Sequence, residues 1–371
     1  MQQFLSLKNL VIADSIGPVL LALTALLTAT GLSAQSLYFP SSDEHWEQID
    51  PETVGWNTAL LSAALDLAGE LDSSGVVILH RGRIMAERYW ELENPSQRYQ
   101  NFLQGRDTKD RAIEDVASAQ KSVVAVLAGI AQERGLISID DRVSKYLGTG
   151  WSRASEQQEA AITIRHLLSM NSGLAANMTY SAAAGGVWLY NTPAYHYVMR
   201  ILEEVAGTDR NQLTSDWITE PLGMEYSSWT PRPWADAAIG SGFSTTAREL
   251  ARFGLMIQAG GRWQDQEVIA DRAYLEAMLS PSQGLNPAYG FLWWINGQEF
   301  SLGAGAGARR VDGSLIPAAP DDLVAMQGAL DRKLYLVPSL DLVVVRLGAT
   351  GSSNDVNFNN AFWPALMAAR Q

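Results

Sequence analysis

The chain has 371 residues, 47% of them hydrophobic and 18% charged, with a formal net charge of −13. This composition excludes a disordered or fibrous protein, and an acidic chain with only five lysines excludes a surface built to bind nucleic-acid phosphates. Cysteine is absent, which excludes disulfides, thiolate nucleophiles, iron–sulfur clusters and Cys-ligated zinc.

Residues 1–34 differ in composition from the remainder of the chain. Lys8 precedes an apolar run, 19–27, and small residues fill 28–34, the pattern of a secretory signal peptide cleaved near Ala34. An uncleaved membrane anchor is the second reading, although the run falls short of the ~20 residues a spanning helix needs. Export would place the mature chain, 35–371, in the periplasm or outside the cell, with no stable membrane partner once the leader is removed.

Residues 56–68 carry a helical apolar pattern. Strand patterns at 75–80 and 84–90 flank Arg81-Gly82-Arg83, a connection short enough to require antiparallel pairing. Val123, Val124, Val126, Leu127 and Ile130 recur at helical spacing, and the segment stops at Gly135. A further helix runs over about 194–206 before Gly207. Another opens on Thr246-Ala247-Arg248-Glu249, a capping-box pattern, and ends at Gly260-Gly261. Strands return at 289–295, 334–337 and 342–347, the last two joined by Pro338-Ser339-Leu340-Asp341, and a helix over about 360–369 closes the chain. Strands at both ends with helices between them predict an α/β protein of the α+β type. Its antiparallel sheet is formed from the N- and C-terminal strands and flanked by helices, with a mostly helical middle lobe at about 140–285. Clefts between such lobes are common sites of chemistry.

The first chemical candidate is Ser118-Ala119-Gln120-Lys121, where the three-residue spacing puts hydroxyl and amine on one helix face. A lysine whose pKa falls on burial accepts the serine proton, and the helix N-terminus adds positive potential where an oxyanion forms. A helix-start serine with a solvated lysine is the bland alternative for so short a pattern. This is, however, the only SxxK in the chain, and the helix after it has an apolar face that would bury Lys121. Other chemistries lack their signatures. His45, His80, His166 and His196 show no metal-ligand spacing, so no metal or cofactor is expected. GxSxG is missing, and Gly303-Ala304-Gly305-Ala306-Gly307 lacks the GK[ST] ending of a phosphate loop, which leaves it as a loop near the cleft.

With 162–174 and Trp188-Leu189-Tyr190-Asn191-Thr192 coming next in order, the chain resembles the serine β-lactamase and penicillin-binding superfamily over about residues 38–371. The branch it is most similar to is the class C β-lactamase-like one, with its esterases, D-aminopeptidases and 6-aminohexanoate-dimer hydrolases. The resemblance implies that Ser118 is the acylated nucleophile and that Lys121 helps to take up its proton. It implies further that Tyr190, opening the second motif, acts with Lys121 as general base and later as acid. That motif usually has Asn as its third residue; here the amide has moved one place, to Asn191 as a supporting residue, or its task passes to Thr192. The third motif, normally Lys-Thr-Gly or His-x-Gly, falls by counting at Ala329-Leu330-Asp331 and matches neither. His80-Arg81-Gly82 fits the letters but sits in a turn ahead of Ser118. The missing cation, which would meet a substrate carboxylate, argues against efficient β-lactam hydrolysis unless Arg309 or Arg310 replaces it. A backbone oxyanion donor is expected near Arg332, paired with the N–H of Ser118. Trp188, Tyr190 and Trp293-Trp294 are candidates for an apolar acyl pocket.

The reading is a serine hydrolase of small ester, amide or peptide-like substrates, closer to an esterase than to an efficient β-lactamase. Its alternative is a silent or slowly deacylating β-lactam- or peptidoglycan-binding protein on the same fold.

Overall fold

The structure is a computed structural model, and it describes residues 37–41, 45–236, 239–305, 307–352 and 356–371. The expected leader at 1–34 lies outside these residues. No helix among the described residues is long and apolar enough to cross a membrane.

Two strands, β1 (Ser73–His80) and β2 (Arg83–Tyr89), form the expected N-terminal hairpin, with Val77 opposite Glu87. Four later strands join them: β3 (Trp294–Ile295), β4 (Val324–Gly328), β5 (Arg332–Val337) and β6 (Leu342–Gly348). The sheet is antiparallel throughout, in the order β2-β1-β6-β5-β4-β3, so the two ends of the chain meet where Val77 pairs with Val345. Along β5 and β6 every residue is buried. A sheet covered on both faces demands unbroken apolar runs, and β6 has one.

Five helices matter for the site: α1 (Thr58–Glu70), α2 (Gln120–Glu133), α3 (Thr192–Ala206), α4 (Ala247–Gln258) and α5 (Phe358–Ala368). On one face of the sheet α4 packs closely, because Gly254 carries no side chain. A Cβ there would lie 2.7 Å from Leu334 Cδ1 and 2.8 Å from Val343 Cγ1. On the other face Tyr335 meets Trp363 of α5 edge-on at 5.2 Å. α4 falls within the span expected as the helical lobe, about 140–285, and packs on the sheet. The central helix α2 is buried along twelve of its fourteen residues, which its all-round apolar sequence permits.

Three features depart from the sequence expectations. Only Trp294 and Ile295 of the strand expected at 289–295 are extended; Leu292 has φ 59° and Gly290 N–H bonds to Trp293 O at 2.9 Å, folding the run back on itself. The run is apolar because it is buried, not because it is a strand. Second, β4 has no clear strand pattern in the sequence, since Gln327 and Gly328 at its end are weak strand formers. Third, a small antiparallel sheet forms in the order Leu103–Arg106, Ala112–Asp115, Ser241–Thr245 and Ser228–Pro231. Its second strand delivers the chain to Ser118.

Candidate active site

The strand Ala112–Asp115 ends on a buried carboxylate. Asp115 Oδ1 accepts the N–H of Ala117 at 2.8 Å and holds that residue at φ 52°. A residue with a Cβ adopts this left-handed conformation at a cost of about 1 kcal/mol, so a strained link sits immediately before Ser118. A short 3-10 turn, Ala117–Ala119, then feeds α2. Lys121 lies in the first turn of α2, and its Nζ is 3.0 Å from Ser118 Oγ.

Lys121 is 2% exposed. Burial, helped by the positive charge of Arg232, brings its pKa down to about 7. Its Nζ lies 4.7 Å from the ring centre of Tyr190 and 4.6 Å from that of Tyr195. Beneath these groups runs a buried polar chain. Arg232 donates to both oxygens of Asp115, at 2.6 and 2.7 Å, and to Gln120 Oε1 at 3.0 Å. Gln120 in turn donates to the Tyr195 hydroxyl at 2.7 Å. The Asp115 carboxylate that strains Ala117 is thus paired with the cation that lowers Lys121.

Tyr190 comes from the segment leading into α3. Burial raises its phenol well above the ordinary value, and a hydrogen bond with Ser118 opposes that rise. Asn191 caps α3: its Oδ1 accepts from Ala194 N–H at 3.1 Å, while Nδ2 donates to Leu174 O at 2.9 Å and Ala175 O at 3.1 Å. With its amide so engaged, Asn191 fixes the backbone beside Tyr190, and Thr192 is the residue of this segment that joins Tyr190 on the cleft wall.

The cleft measures about 980 Å³, and Ser118, Tyr190, Trp294, Gln327, Gly328 and Lys333 are among the residues that line it. At Gly328, strand β4 approaches the turn that carries Ser118. A Cβ on this residue would lie 2.1 Å from Val116 O and 3.2 Å from Ala119 N, an approach only glycine allows. Arg332, the position expected to bring the backbone donor, sits opposite Gly328 on β5 with its side chain buried against Glu114 at 2.9 Å. The segment Ala329-Leu330-Asp331 is the turn between β4 and β5, with Leu330 at φ 62° and Asp331 at φ 55°. This turn is the segment that counting back from Tyr335 and Pro338 gives for the third motif. His80 ends β1, and Arg81-Gly82 is the β1–β2 turn. Arg309 lines the cleft, whereas Arg310 pairs with Asp312 at 2.7 Å.

One wall of the cleft is aromatic. Tyr190 stacks on Trp294 with ring centres 5.9 Å apart, and Trp188 packs edge-on to Tyr289 at 5.5 Å. Trp293 faces away and stacks on Phe253 at 6.5 Å. Polar side chains, those of Gln327, Lys333, Asn357, Asn359 and Asn360, also line the cleft. Sequence reasoning missed Asp115, Gln120, Tyr195, Arg232, Gln327 and Lys333. The signal available for Lys333 was a lysine next to an arginine opening the apolar run 334–337.

The Beta-lactamase family model matches residues 61–361. An uncharacterized protein from Alkalihalophilus pseudofirmus is 23% identical over 334 residues, covering 83% of this chain and 92% of its own length. Among solved structures, a protein assigned as a 6-aminohexanoate-dimer hydrolase from Bacillus anthracis superposes with a TM-score of 0.62 at 15% identity, over 89% of this chain and 88% of that one. EstCE1, a hydrolase with promiscuous acyltransferase activity, superposes with a TM-score of 0.55 at 16% identity, over 83% of this chain and 96% of its own. These likenesses establish the fold, with its antiparallel sheet and flanking helices. Since the family match spans the chain from within α1 into α5 and takes in every cleft residue described above, the chain belongs to the Beta-lactamase family, within the serine hydrolase superfamily of that fold.

Proposed function

We propose that the protein hydrolyses small esters or amides through an acyl-enzyme on Ser118. The observation that carries this reading is a buried Lys121, its pKa brought to about 7, with its Nζ 3.0 Å from Ser118 Oγ. Near neutral pH a large share of Lys121 is the free amine, which can take the serine proton as Oγ attacks the carbonyl carbon. Tyr190 has the opposite balance. Its raised pKa keeps the phenol protonated, so it serves as a donor beside Ser118 and not as the resting base. The N–H of Ser118 and the backbone at Gly328–Ala329 are the candidate partners for the oxyanion. Collapse of the tetrahedral intermediate breaks the bond to the alcohol or amine, which leaves with the Tyr190 proton, and Lys121 returns its proton to Tyr190. Water then loses a proton to Lys121 as it attacks the acyl carbon, and the bond to Ser118 Oγ breaks as Oγ takes that proton back from Lys121, freeing the acid and restoring the resting enzyme. The aromatic wall suits an apolar acyl chain.

Steady-state hydrolysis of p-nitrophenyl butyrate tests the reading. Ser118→Ala is expected to fall to background, and Tyr190→Phe to lose about 10²- to 10⁴-fold in kcat. Undiminished turnover in Ser118→Ala would overturn the assignment. A single burst of p-nitrophenol with no turnover would favour the binding-protein alternative instead.

A further inference from the structure

The cation that the sequence lacks at the third motif reappears in the cleft from the neighbouring strand. Lys333 on β5 lies directly opposite Gln327 on β4 and opposite Arg346 on β6. Its Nζ donates to Gln327 Oε1 at 2.7 Å and is 3.5 Å from Asp331 Oδ1. An ammonium has three donors, and these partners account for two. The side chain is 7% exposed, yet the residue lines the same cleft as Ser118.

The charges around it do not cancel. Arg332 is paired with Glu114 at 2.9 Å. Arg346 is held by Ser73 Oγ at 2.9 Å, by Leu330 O and Leu71 O at 2.7 Å each, and by Asp331 O at 3.3 Å, and it feels the charges of Asp331 and Glu114. Three cations, Arg332, Lys333 and Arg346, thus share two carboxylates, Glu114 and Asp331. Of the five, Lys333 is the one that lines the cleft. The start of α5 lines the same cleft, through Asn357, Asn359 and Asn360, and adds the positive end of a helix. A buried lysine and aromatic rings lining one cleft with Ser118 suit a substrate that carries an anionic group on an apolar acyl chain.

The geometry points to Lys333, supported by Gln327, as the recognition site for a carboxylate on the acyl part of the substrate. This assignment rests on the hydrolase reading above and narrows it to linear esters or amides of dicarboxylic or otherwise carboxylate-bearing acids. Lys333 is a specificity residue here; it takes no part in bond making.

The test compares 4-nitrophenyl hydrogen glutarate with 4-nitrophenyl valerate, which differ in a terminal carboxylate against a methyl group. In the unaltered protein kcat/KM is expected to favour the glutarate. The ratio of the two values should fall about 10- to 100-fold in Lys333→Gln and be largely retained in Lys333→Arg, with the change carried by KM. A ratio unchanged in Lys333→Gln would overturn the assignment, as would equal losses on both esters. Calorimetric binding of glutarate to Ser118→Ala and to Ser118→Ala/Lys333→Gln separates the two readings. If neither ester is hydrolysed, the hydrolase reading fails; glutarate binding weakened by Lys333→Gln still supports the carboxylate site, and equal binding ends it.

Discussion

Replacing Lys121 with Met is expected to abolish ester hydrolysis and, at the same time, to make the protein more stable. The side chain is 2% exposed, and burial holds its pKa at about 7, far below the lysine value of 10.5. In the unfolded chain the amine is charged at neutral pH, so unfolding takes up protons and the native state carries the cost of the buried lysine. At one pKa unit per 1.36 kcal/mol, relief of that cost gives roughly 2–4 kcal/mol in the variant at pH 7. The sign follows from linkage: the unfolded state binds more protons between pH 7 and 10.5, so the wild type gains stability across that window. Above pH 10.5 both states are neutral and the advantage of Lys121→Met disappears. Thermal melts at pH 7 and pH 10 check this, with a difference that narrows at the higher pH. A variant less stable than wild type at pH 7 would mean that Lys121 is not desolvated at a cost.

Arg232→Met is expected to act in the opposite direction. Arg232 holds both oxygens of Asp115 in a pair that is almost wholly buried, with side-chain exposures of 7% and 0%. Removing one partner leaves a buried carboxylate uncompensated, a loss of about 3–5 kcal/mol. The same change removes a positive charge that depresses Lys121 and leaves a negative one nearby, so the lysine pKa rises. In the wild type kcat/KM is expected to fall as pH drops below about 7, where Lys121 takes up a proton and can no longer act as the proposed base. In Arg232→Met that acid limb moves to higher pH, and raising the pH restores part of the rate. A limb that stays in place while stability falls would confine Arg232 to a structural role. One carboxylate, Asp115, thus sets both the strained Ala117 before Ser118 and the position of the charge that lowers Lys121.

Local features of this architecture were legible in the sequence and distant ones were not. The spacing of Ser118 and Lys121 is a property of one helix turn, and the contact at 3.0 Å follows from it. The hairpin at Arg81-Gly82 and the ends of α3 and α4 follow from turn and capping residues within a few positions. By contrast, Arg232 meets Asp115 across 117 positions, and nothing in the local pattern of either residue announces a partner. The turn at Leu330-Asp331 uses two residues with positive φ where glycine or asparagine would have signalled it, so β4 and the role of Gly328 were hidden. Arg332 and Lys333 look alike as adjacent cations, yet strand alternation separates them. Arg332 pairs with Glu114, while Lys333 lines the cleft. Asn191 shows the same limit, since its amide caps α3 and also holds Leu174 O, a partner 17 positions away that the motif does not announce.

The central claim is that Ser118 is a nucleophile activated by Lys121, and covalent labelling tests it most directly. The protein is treated with a fluorophosphonate probe, weighed intact and mapped by peptide mass spectrometry across pH 6 to 9. One adduct is expected, on Ser118, absent in Ser118→Ala, forming at a rate that rises with pH around the value of about 7 at which Lys121 loses its proton. An adduct on another residue, or labelling that persists in Ser118→Ala, would contradict it.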